Sequence, residues 1–393
     1  MSTEWIEVSL KDICENKSVA CKNFEEENIE RYVGLEHLEP ESLVISSWGL
    51  VKDGTTFTKL FYPGQVLFGK RRSYQKKAAV ADFKGVCSGD ILVLEAKEDI
   101  ILRELLPYII QNERLFDYAV GTSSGSLSPR TSWRLLSSYK LKIPLNRESQ
   151  KEILEKFTKI EEAIKLKGNL KFTTQKYKES LLNHLLTYGI NNIKTTPKKN
   201  EDIPVNWSLK KLGDIATLRT EKFNPLSADT EKYIALEHIE PISGKILGYE
   251  DSKESTSLKA KFKEGDVLFG KLRPYLRKYW YAEFDGVCAT EILPLIAKSG
   301  TDKKFLFYTL QQEKVIGFAI QNSFGTKMPR TSWADLKNIK LAIPPKEEQQ
   351  EIANILSNLD KQVFAYEKEI ELSISIKKAL QEQLLTSREG VKL

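Results

Sequence analysis

The stretch FYPGQVLFGKRRSYQKKAAVADFKGVCSGDILVLEAK, at residues 61–97, recurs as FKEGDVLFGKLRPYLRKYWYAEFDGVCATEILPLIAK at 262–298. At a constant shift of 201, 20 of the 37 aligned positions are identical, which is far beyond chance for unrelated segments. Self-similarity at a fixed period is the signature of a repeat architecture. The pair therefore predicts that the chain is built twice from one structural unit.

The duplication extends along most of the chain. The matching pairs are RYVGLEHLEP and KYIALEHIEP (from 31 and 232), SPRTSW and MPRTSW (from 128 and 328), and ESQKEI and EEQQEI (from 148 and 347). Along these pairs the shift falls from 201 to 200 and then to 199. Because gaps of one residue belong in loops, we expect two copies of about 200 residues each.

Each copy has two parts of different composition. The first part mixes short β-type runs with Gly, Pro and Ser, and it carries one helical stretch near 99–118. After an Ile-Pro step the composition turns to Glu, Lys, Gln and Leu, which predicts a long helix. The predicted segments are an α/β (α+β) domain at 1–146, a helical spacer and linker at 147–198, a second α/β domain at 199–345 and a second helical spacer at 346–393.

Both predicted helices carry residues at alternating spacings of four and three, the pattern of a coiled-coil seam. Its apolar positions are Phe157, Ile160, Ile164, Leu181 and Leu185 in the first helix and Leu356, Leu359, Val363, Tyr366, Ile370, Leu380 and Leu384 in the second. The middle of the first seam is polar, and Gly168 interrupts it. Since neither helix can bury its stripe alone, we expect antiparallel packing with the domains at opposite ends, and a pseudo-two-fold relation between the copies.

Composition limits the classes of function. The chain has 393 residues, a hydrophobic content of 41% and a mild net charge of +6, which fits globular domains with apolar cores. Its four cysteines form no Cys-x-x-Cys pair, so neither a zinc ribbon nor a disulfide scaffold is indicated. The sequence shows no signal peptide and no membrane-spanning apolar run, and we expect a cytoplasmic protein with reduced, buried thiols.

A nucleotide-binding loop is one candidate site, because GQVLFGK at 64–70 fits G-x-x-x-x-G-K. Such a loop needs Ser or Thr after the lysine to hold magnesium, but Arg71 follows here and Leu272 follows in the second copy. The apolar interior of the motif also suits a strand better than a phosphate cradle.

A metal or catalytic centre is equally poorly supported. Glu95, a candidate metal ligand, is replaced by Ile296 in the second copy. His37 and His238 recur without partners at ligand spacing, which favours a structural or DNA-proximal role. We predict no catalytic residue and no metal site.

Two basic and polar motifs do survive in both copies. KRRSYQKK at 70–77 matches KLRPYLRK at 271–278, and S-x-G-x-x-x-P-R-T-S-W begins at Ser123 and Ser323. Lys and Arg neutralise phosphates, Arg can also pair with guanine, and hydroxyls and backbone N–H groups can position a DNA backbone. The candidate DNA-binding residues are Lys70, Arg72, Tyr74, Lys77, Ser123, Arg130, Thr131, Lys271, Arg273, Tyr275, Lys278, Ser323, Lys327, Arg330 and Thr331.

The motifs GDVLFGKLRPYLRK and LAIPPKEEQQEIANIL, with its partner LKIPLNRESQKEILEKF, resemble those of the specificity (S) subunit of type I restriction-modification systems. The resemblance spans the chain and includes the order of recognition domain, long helix, recognition domain, long helix. It implies two target-recognition domains that each read half of a split DNA sequence, with the helices as a ruler for the gap. The likeness of the copies further predicts related half-sites.

The resemblance also implies partners and a chain without catalytic activity. Two methyltransferase subunits are expected to dock on the helices and methylate adenine with S-adenosylmethionine, and motor-nuclease subunits to supply ATP- and magnesium-dependent cleavage. The family's Pro-Pro-x-x-Glu-Gln form is intact only in the second copy, so we expect a weaker first partner interface.

Two other functions compete with that of a specificity subunit. One is a DNA-binding scaffold or regulator, and the other is a nuclease or NTPase built on Lys70 or Glu95.

Overall fold

The computed structural model describes residues 4–190, 195–198, 201–224, 230–254 and 257–386. It divides into two compact units, which we call unit 1 (Met1–Gly168 with Lys368–Leu393) and unit 2 (Asn169–Glu367). Each unit contains one globular domain, the start of one long helix and the end of the other. The long helices begin at Arg147 and Lys346, where the sequence predicts the two spacers.

Unit 1 is built from short strands and helices that end in the first long helix. Its strands are β1 (Trp5–Ser9), β2 (Cys14–Lys17), β3 (Arg31–Val33), β4 (Gly49–Leu50), β5 (Lys59–Phe61), β6 (Val66–Gly69), β7 (Ala78–Val80), β8 (Gly85–Cys87), β9 (Ile91–Ala96) and β10 (Lys140–Pro144). Its helices are α1 (Leu10–Ile13), α2 (Leu106–Ile110), α3 (Glu113–Gly121), α4 (Trp133–Leu136) and the first part of α5 (Arg147–Tyr188). Turns of 3-10 helix lie at Leu35–His37, Val51–Asp53, Ser73–Gln75 and Arg103–Leu105.

Unit 2 repeats this plan. Its strands are β11 (Thr195–Lys198), β12 (Glu201–Pro204), β13 (Ser208–Lys211), β14 (Ala216–Leu218), β15 (Lys222–Phe223), β16 (Lys232–Ile234), β17 (Glu250–Asp251), β18 (Lys259–Phe262), β19 (Val267–Gly270), β20 (Tyr279–Tyr281), β21 (Gly286–Cys288), β22 (Ile292–Ala297) and β23 (Lys340–Ile343). Its helices are α6 (Leu212–Ile215), α7 (Lys303–Thr309), α8 (Glu313–Gln321), α9 (Trp333–Leu336) and the first part of α10 (Lys346–Thr386). Turns of 3-10 helix lie at Leu236–His238, Ser252–Glu254 and Pro274–Leu276.

The sheets have the same strand order in both units. The central sheet is β2-β9-β6-β7 in unit 1 and β14-β22-β19-β20 in unit 2, antiparallel throughout. The second sheet is β4-β3-β8-β5 in unit 1 and β17-β16-β21-β18 with the added edge strand β15 in unit 2. A two-stranded pair, β1-β10 or β13-β23, leads into the long helix. The predicted mixed α/β architecture and internal repeat are confirmed.

The central sheet is buried on both faces, which explains the continuous apolar run VLF in its middle strand. In β6, Val66 and Phe68 pack in the core that contains α2 and α3, whereas Leu67 packs in the core shared with the second sheet. Strand β19 divides in the same way, with Leu268 on the side of the second sheet. Successive strand residues point to opposite faces, so a strand covered on both sides has no polar position.

A buried glutamine ties each long helix to its domain. Gln150 is fully buried, accepts a hydrogen bond from Leu102 N (2.9 Å) and donates to Pro144 O (3.0 Å). Gln349 makes the equivalent bonds with Asp302 N (2.9 Å) and Pro344 O (3.0 Å). The Gln of the Pro-Pro-x-x-Glu-Gln motif is therefore a structural residue in both copies.

The preceding glutamate of that motif also has an internal partner. Glu348 accepts a hydrogen bond from Trp207 Nε1 at 3.0 Å, and Ser149 occupies the equivalent position in the first copy. The sequence difference between the motifs thus includes the gain, in unit 2, of a glutamate that accepts a hydrogen bond from Trp207. A weaker first partner interface stays a prediction.

Within each unit the two long helices run antiparallel, as predicted. In unit 1, Glu161 pairs with Lys377 and Lys167 with Glu369, at 2.6 and 2.5 Å. In unit 2, Lys171 pairs with Glu367 and Lys178 with Asp360, at 2.8 and 2.5 Å. The polar middle of the first seam is therefore neutralised by carboxylates of the opposite helix. Helix α5 continues through Gly168 without a break.

The apolar seam positions differ in burial, and Phe157, Leu181, Leu185, Leu356 and Leu380 belong to or pack against the cores of the two units. Phe157, Leu185 and Leu356 are buried. The half-buried positions are Ile160, Ile164, Leu181, Leu359, Val363, Tyr366, Ile370 and Leu380, and the side chain of Leu384 lies outside the described residues. Among the described helices, none is long and apolar enough to cross a membrane.

In each unit, a lysine of one long helix lies near a tyrosine ring and pairs with a carboxylate of the other long helix, Lys178 with Asp360 and Lys377 with Glu161. We call this arrangement the lysine clamp. Lys178 lies 5.5 Å from the centre of the Tyr308 ring, and its partner Asp360 accepts a hydrogen bond from the Tyr308 hydroxyl at 2.7 Å. Lys377 lies 5.9 Å from the centre of the Tyr108 ring. The two lysine side chains are only 12% and 13% exposed, so both ammonium groups depend on these partners.

We expect Lys178→Ala and Lys377→Ala each to destabilise the protein by about 1–3 kcal/mol, because each leaves a carboxylate at the helix interface without its cation. Lys176→Ala removes a lysine of the same helix whose ion pair with Glu179 is exposed, and should cost less than about 0.5 kcal/mol. Urea midpoints of the three variants test this. Equal midpoints for the clamp and control variants would contradict the clamp.

Candidate nucleic-acid interface

The two recurrent motifs of each copy form one surface. In unit 1, Arg72 N donates to Pro129 O at 2.8 Å and Thr131 N donates to Lys70 O at 3.0 Å. The equivalent bonds in unit 2, Arg273 N to Pro329 O and Thr331 N to Lys271 O, measure 2.7 and 3.0 Å. The basic run and the loop, about 60 residues apart in sequence, are thus joined by a short β-type ladder.

The second motif is a tight hairpin loop. Ser124 and Arg130 exchange two backbone hydrogen bonds of 3.0 Å, and Phe324 and Arg330 exchange two of 2.9 Å. The glycine in each loop, Gly125 with φ +103° and Gly325 with φ +95°, has a backbone conformation that other residues rarely adopt. The glycine that both copies of the motif share therefore shapes the loop.

Four of the predicted contact residues support this hairpin from inside. Ser123 Oγ donates to Ala119 O at 2.7 Å and Ser323 Oγ donates to Ala319 O at 2.6 Å. Thr131 and Thr331 are only 2% exposed. The two serine contacts anchor each loop to the helix before it, and direct contact of these four residues with nucleic acid stays a prediction.

The basic run contains a strained turn at the same place in both units. Arg72 and Lys76 flank the 3-10 turn Ser73–Gln75 with φ of +54° and +51°, and Arg273 and Arg277 have φ of +50° and +52°. A left-handed backbone is unfavourable for residues with a Cβ and persists only where surrounding contacts hold it.

Ion pairs to the next helix hold this turn. Lys76 pairs with Glu113, and Arg277 makes two hydrogen bonds of 2.6 and 2.7 Å to Glu313. The hydrogen bond from Arg277 holds the pKa of Glu313 below its usual value. Tyr74 and Tyr275, in the centre of each turn, are left 55% and 50% exposed.

An acidic residue orients the loop arginine in each unit. Arg130 Nε donates to Asp90 at 2.8 Å, and Arg330 Nε donates to Glu291 at 3.1 Å. Burial raises the pKa of Asp90, but hydrogen bonds and charge from Arg130 outweigh it and the pKa is lowered. From the sequence alone, the strand that Asp90 precedes resembles only a weak metal-binding strand of the nuclease type. The signal available in the sequence was the recurrence of a carboxylate at positions 90 and 291.

The remaining predicted cations fall into two groups. Lys77 and Lys278 are half-buried and donate to Leu35 O and Leu236 O, at 2.7 and 2.6 Å, which gives them a structural role. The other group has no carboxylate within ion-pair distance among the described residues: Lys70, Arg72, Lys271, Arg273 and Lys327. This second group leaves each surface with positive charge available to an anionic ligand.

The recurrent histidines have a structural contact. His37 Nδ1 accepts a hydrogen bond from Gly34 N at 2.9 Å, and His238 Nδ1 accepts one from Ala235 N at 3.0 Å. Each imidazole thereby caps the 3-10 turn on which it lies. The same geometry in both units gives each histidine a structural contact, and a position near DNA stays a prediction.

The cysteines and Glu95 are also engaged in the fold. Burial raises the pKa of Cys87 and Cys288 to about 12, which keeps both thiols protonated. Glu95 forms an ion pair with Lys17 at 2.8 Å and accepts a hydrogen bond from Gln65. In the part of the chain that the structure describes, no group of three or more His, Cys, Asp or Glu side chains is placed to hold a metal ion.

Comparison with known proteins gives consistent matches. The family model described as type I restriction modification DNA specificity domain matches residues 2–172 and again residues 204–375. The type I restriction enzyme EcoDI specificity subunit of Escherichia coli is 32% identical over 180 residues, which covers 45% of this chain and 39% of that protein. This chain thus matches less than half of that relative's length.

Two further matches cover more of the chain. The type I restriction enzyme MjaVIII specificity subunit of Methanocaldococcus jannaschii is 26% identical over 324 residues, which covers 79% of this chain and 75% of that protein. A solved structure concerned with complex assembly and conformational transition of the type I R-M system contains a chain of similar fold, with a TM-score of 0.63 and 15% identity over 98% of both chains.

We expect His37→Ala and His238→Ala each to lower the free energy of unfolding by about 1 kcal/mol, because a backbone N–H loses its acceptor. His184→Ala, at an exposed position on α5, is the control and should have little effect. Urea unfolding measures all three. A cost no larger than that of the control would argue against the capping role.

Proposed function

Because the chain belongs to the type I restriction-modification DNA specificity family, we propose that it is the sequence-specificity subunit of such a system. Each globular domain acts as a target-recognition domain that reads one half of a bipartite DNA site. The paired helices set the gap between the two halves. The chain itself is not catalytic, and methylation and cleavage are carried out by partner subunits.

The observation that carries this proposal is the duplicated cationic surface. In each unit the loop hairpin and the strained basic turn place a lysine and an arginine without carboxylate partners, Lys70 and Arg72 or Lys271 and Arg273, beside an exposed tyrosine. Phosphate contacts by Lys and Arg supply affinity and position a protein on the duplex, and arginine in the major groove can read guanine.

The long helices support a role in binding partner subunits. Their outer faces carry apolar side chains that are more than half exposed, including Leu166 (57%) and Phe172 (62%) on α5 and Leu372 (61%) on α10. Exposed apolar surface of this kind is typical of protein interfaces. We propose that two methyltransferase subunits dock there and bring S-adenosylmethionine, and that motor-nuclease subunits bring ATP- and magnesium-dependent chemistry.

A DNA-binding scaffold or regulator is the competing function. It would use the same cationic surfaces without a methyltransferase. Recovery of a methyltransferase with the tagged chain from its host supports the specificity subunit, whereas recovery of the chain without one supports the scaffold.

We expect Arg273→Ala to weaken DNA binding by the complete complex without disturbing subunit assembly. If Arg273 reads a base, the loss is about 1–3 kcal/mol and is confined to one half-site, whereas loss of a phosphate contact weakens all sequences alike. Arg72→Ala is the matched variant for the other half-site, and Lys263→Ala removes an exposed charge outside the motifs. Affinity and sequence choice like those of Lys263→Ala would remove Arg273 from the interface.

Methylation sequencing of the host genome should show a bipartite motif with related halves. The motifs of the two domains are closely alike, and the helices are antiparallel within each unit, which favours an approximate two-fold arrangement of the halves. Deletion of the gene is the control and should abolish the methylated motif. Two dissimilar halves would reject the predicted relation, and a motif unchanged by deletion would reject the proposed function.

A further inference from the structure

The tips of the two loop hairpins expose apolar side chains within a cationic surface. Leu127 is 92% exposed in the first loop, and Phe324 and Met328 are 73% and 44% exposed in the second. A solvated hairpin tip normally carries small polar residues. Because exposed apolar side chains lie at the tip of the same loop in both units, within a cationic surface, the tips are candidates for contact with a ligand.

Alignment of the loops separates a fixed frame from a variable tip. The frame is Ser-x-Gly-x-x-x-Pro-Arg-Thr-Ser-Trp, and its residues make the anchoring contacts described above. The positions that differ are Ser124, Ser126, Leu127 and Ser128 in the first loop and Phe324, Thr326, Lys327 and Met328 in the second. The two domains therefore present different chemistry at one position of a shared scaffold.

The frame holds the tip rigidly against the basic turn. Phe324 lies in the backbone ladder with Arg330, and Arg330 in turn bridges Leu272 of the basic run. Arg273 donates a backbone hydrogen bond to Pro329 and approaches Lys327 O with Nη2 at 3.5 Å. A loop whose backbone is fixed in this way loses little backbone conformational freedom on binding, which favours specific recognition.

We infer that the variable hairpin tips are the elements that distinguish the two half-sites, and that Phe324 makes an apolar contact with a base step of duplex DNA. This inference rests on the proposed function. The occupant follows from the charge around the tip, since Lys271, Arg273 and Lys327 have no carboxylate partner among the described residues and favour a polyanion over an apolar protein partner. Aromatic and aliphatic side chains contact thymine methyl groups or wedge between bases in protein–DNA complexes.

The tip of the first loop differs from that of the second in the side chains that it presents to a ligand. Ser128 Oγ accepts hydrogen bonds from Arg71 and Arg72 at 3.0 and 3.4 Å. In unit 2, Leu272 occupies the position of Arg71 and Met328 occupies the position of Ser128, so both residues are apolar there. Leu127 is then the apolar contact of the first loop, three positions further along the frame than Phe324. The half-sites share the bases that face the common frame and differ at the bases under the tips.

The duplication supplies matched variants for the test. Phe324→Ser installs the first-copy residue in the second loop, and Leu127→Lys installs the second-copy residue in the first. Leu247→Ser changes an apolar residue of unit 2 that is 60% exposed and lies outside the hairpin. Each variant is purified as the complete complex with its methyltransferase subunits. Binding is measured to a duplex with the full site and to duplexes in which one half-site is scrambled.

We expect Phe324→Ser to weaken binding to the full site by about 10- to 100-fold, the range for loss of a stacking contact. Its preference for the full site over DNA with the second half-site scrambled should be smaller than that of the parent, because the frame residues and Arg273 remain, while its discrimination at the first half-site is retained. Leu127→Lys should change discrimination at the first half-site only, and Leu247→Ser should match the parent.

Three results would overturn the inference. If Phe324→Ser binds and discriminates like Leu247→Ser while the parent complex is sequence-specific, the tip is not a reading element and the proposed function stands. If the parent complex shows no sequence-specific binding, the proposed function fails and the inference fails with it. If the parent chain self-associates and Phe324→Ser abolishes that association without changing DNA binding, the tip is a contact between copies.

Discussion

The antiparallel pairing of the two long helices is the constraint on which the rest of the structure depends. Each helix carries a stripe that it cannot bury alone, and in α5 the middle of that stripe is lysine. Lys167, Lys171 and Lys178 meet their carboxylates on α10, in an order that runs backwards along the chain. Each compact unit is therefore completed by residues from distant parts of the sequence, and neither domain is closed by its own copy of the repeat alone.

The cationic surfaces depend on the same rigid framework. The basic turn follows directly after the middle strand of a sheet that is buried on both faces, and it is strained at Arg72 and Arg273. Backbone hydrogen bonds to the hairpin keep this turn in its strained conformation. The carboxylates at positions 90 and 291 orient Arg130 and Arg330, whose backbones pair across the hairpin. The exposed cations and tyrosines are consequently presented by a scaffold with little freedom to rearrange.

The two copies show which interactions the fold preserves when residues change. Lys76 with Glu113 becomes Arg277 with Glu313, and Arg130 with Asp90 becomes Arg330 with Glu291. A cation stacked on an aromatic ring persists where Arg31 over Trp48 becomes Lys232 over Tyr249. The exposed hairpin tips show no such preservation of chemistry, which is expected if they face different ligands instead of the common core.

The sequence by itself determined the duplication, the mixed α/β domains and the heptad seams of the long helices, because each follows from a local period or from recurrence at a fixed shift. It also identified both motifs of the candidate site. Only the tertiary structure decided that these motifs form one surface, that Thr131 is buried while Ser123 and Lys77 donate to backbone carbonyls, and that the polar seam is neutralised across the helices. Such pairings join residues tens to hundreds of positions apart, and the chemistry of a side chain does not reveal which distant partner the fold will place beside it.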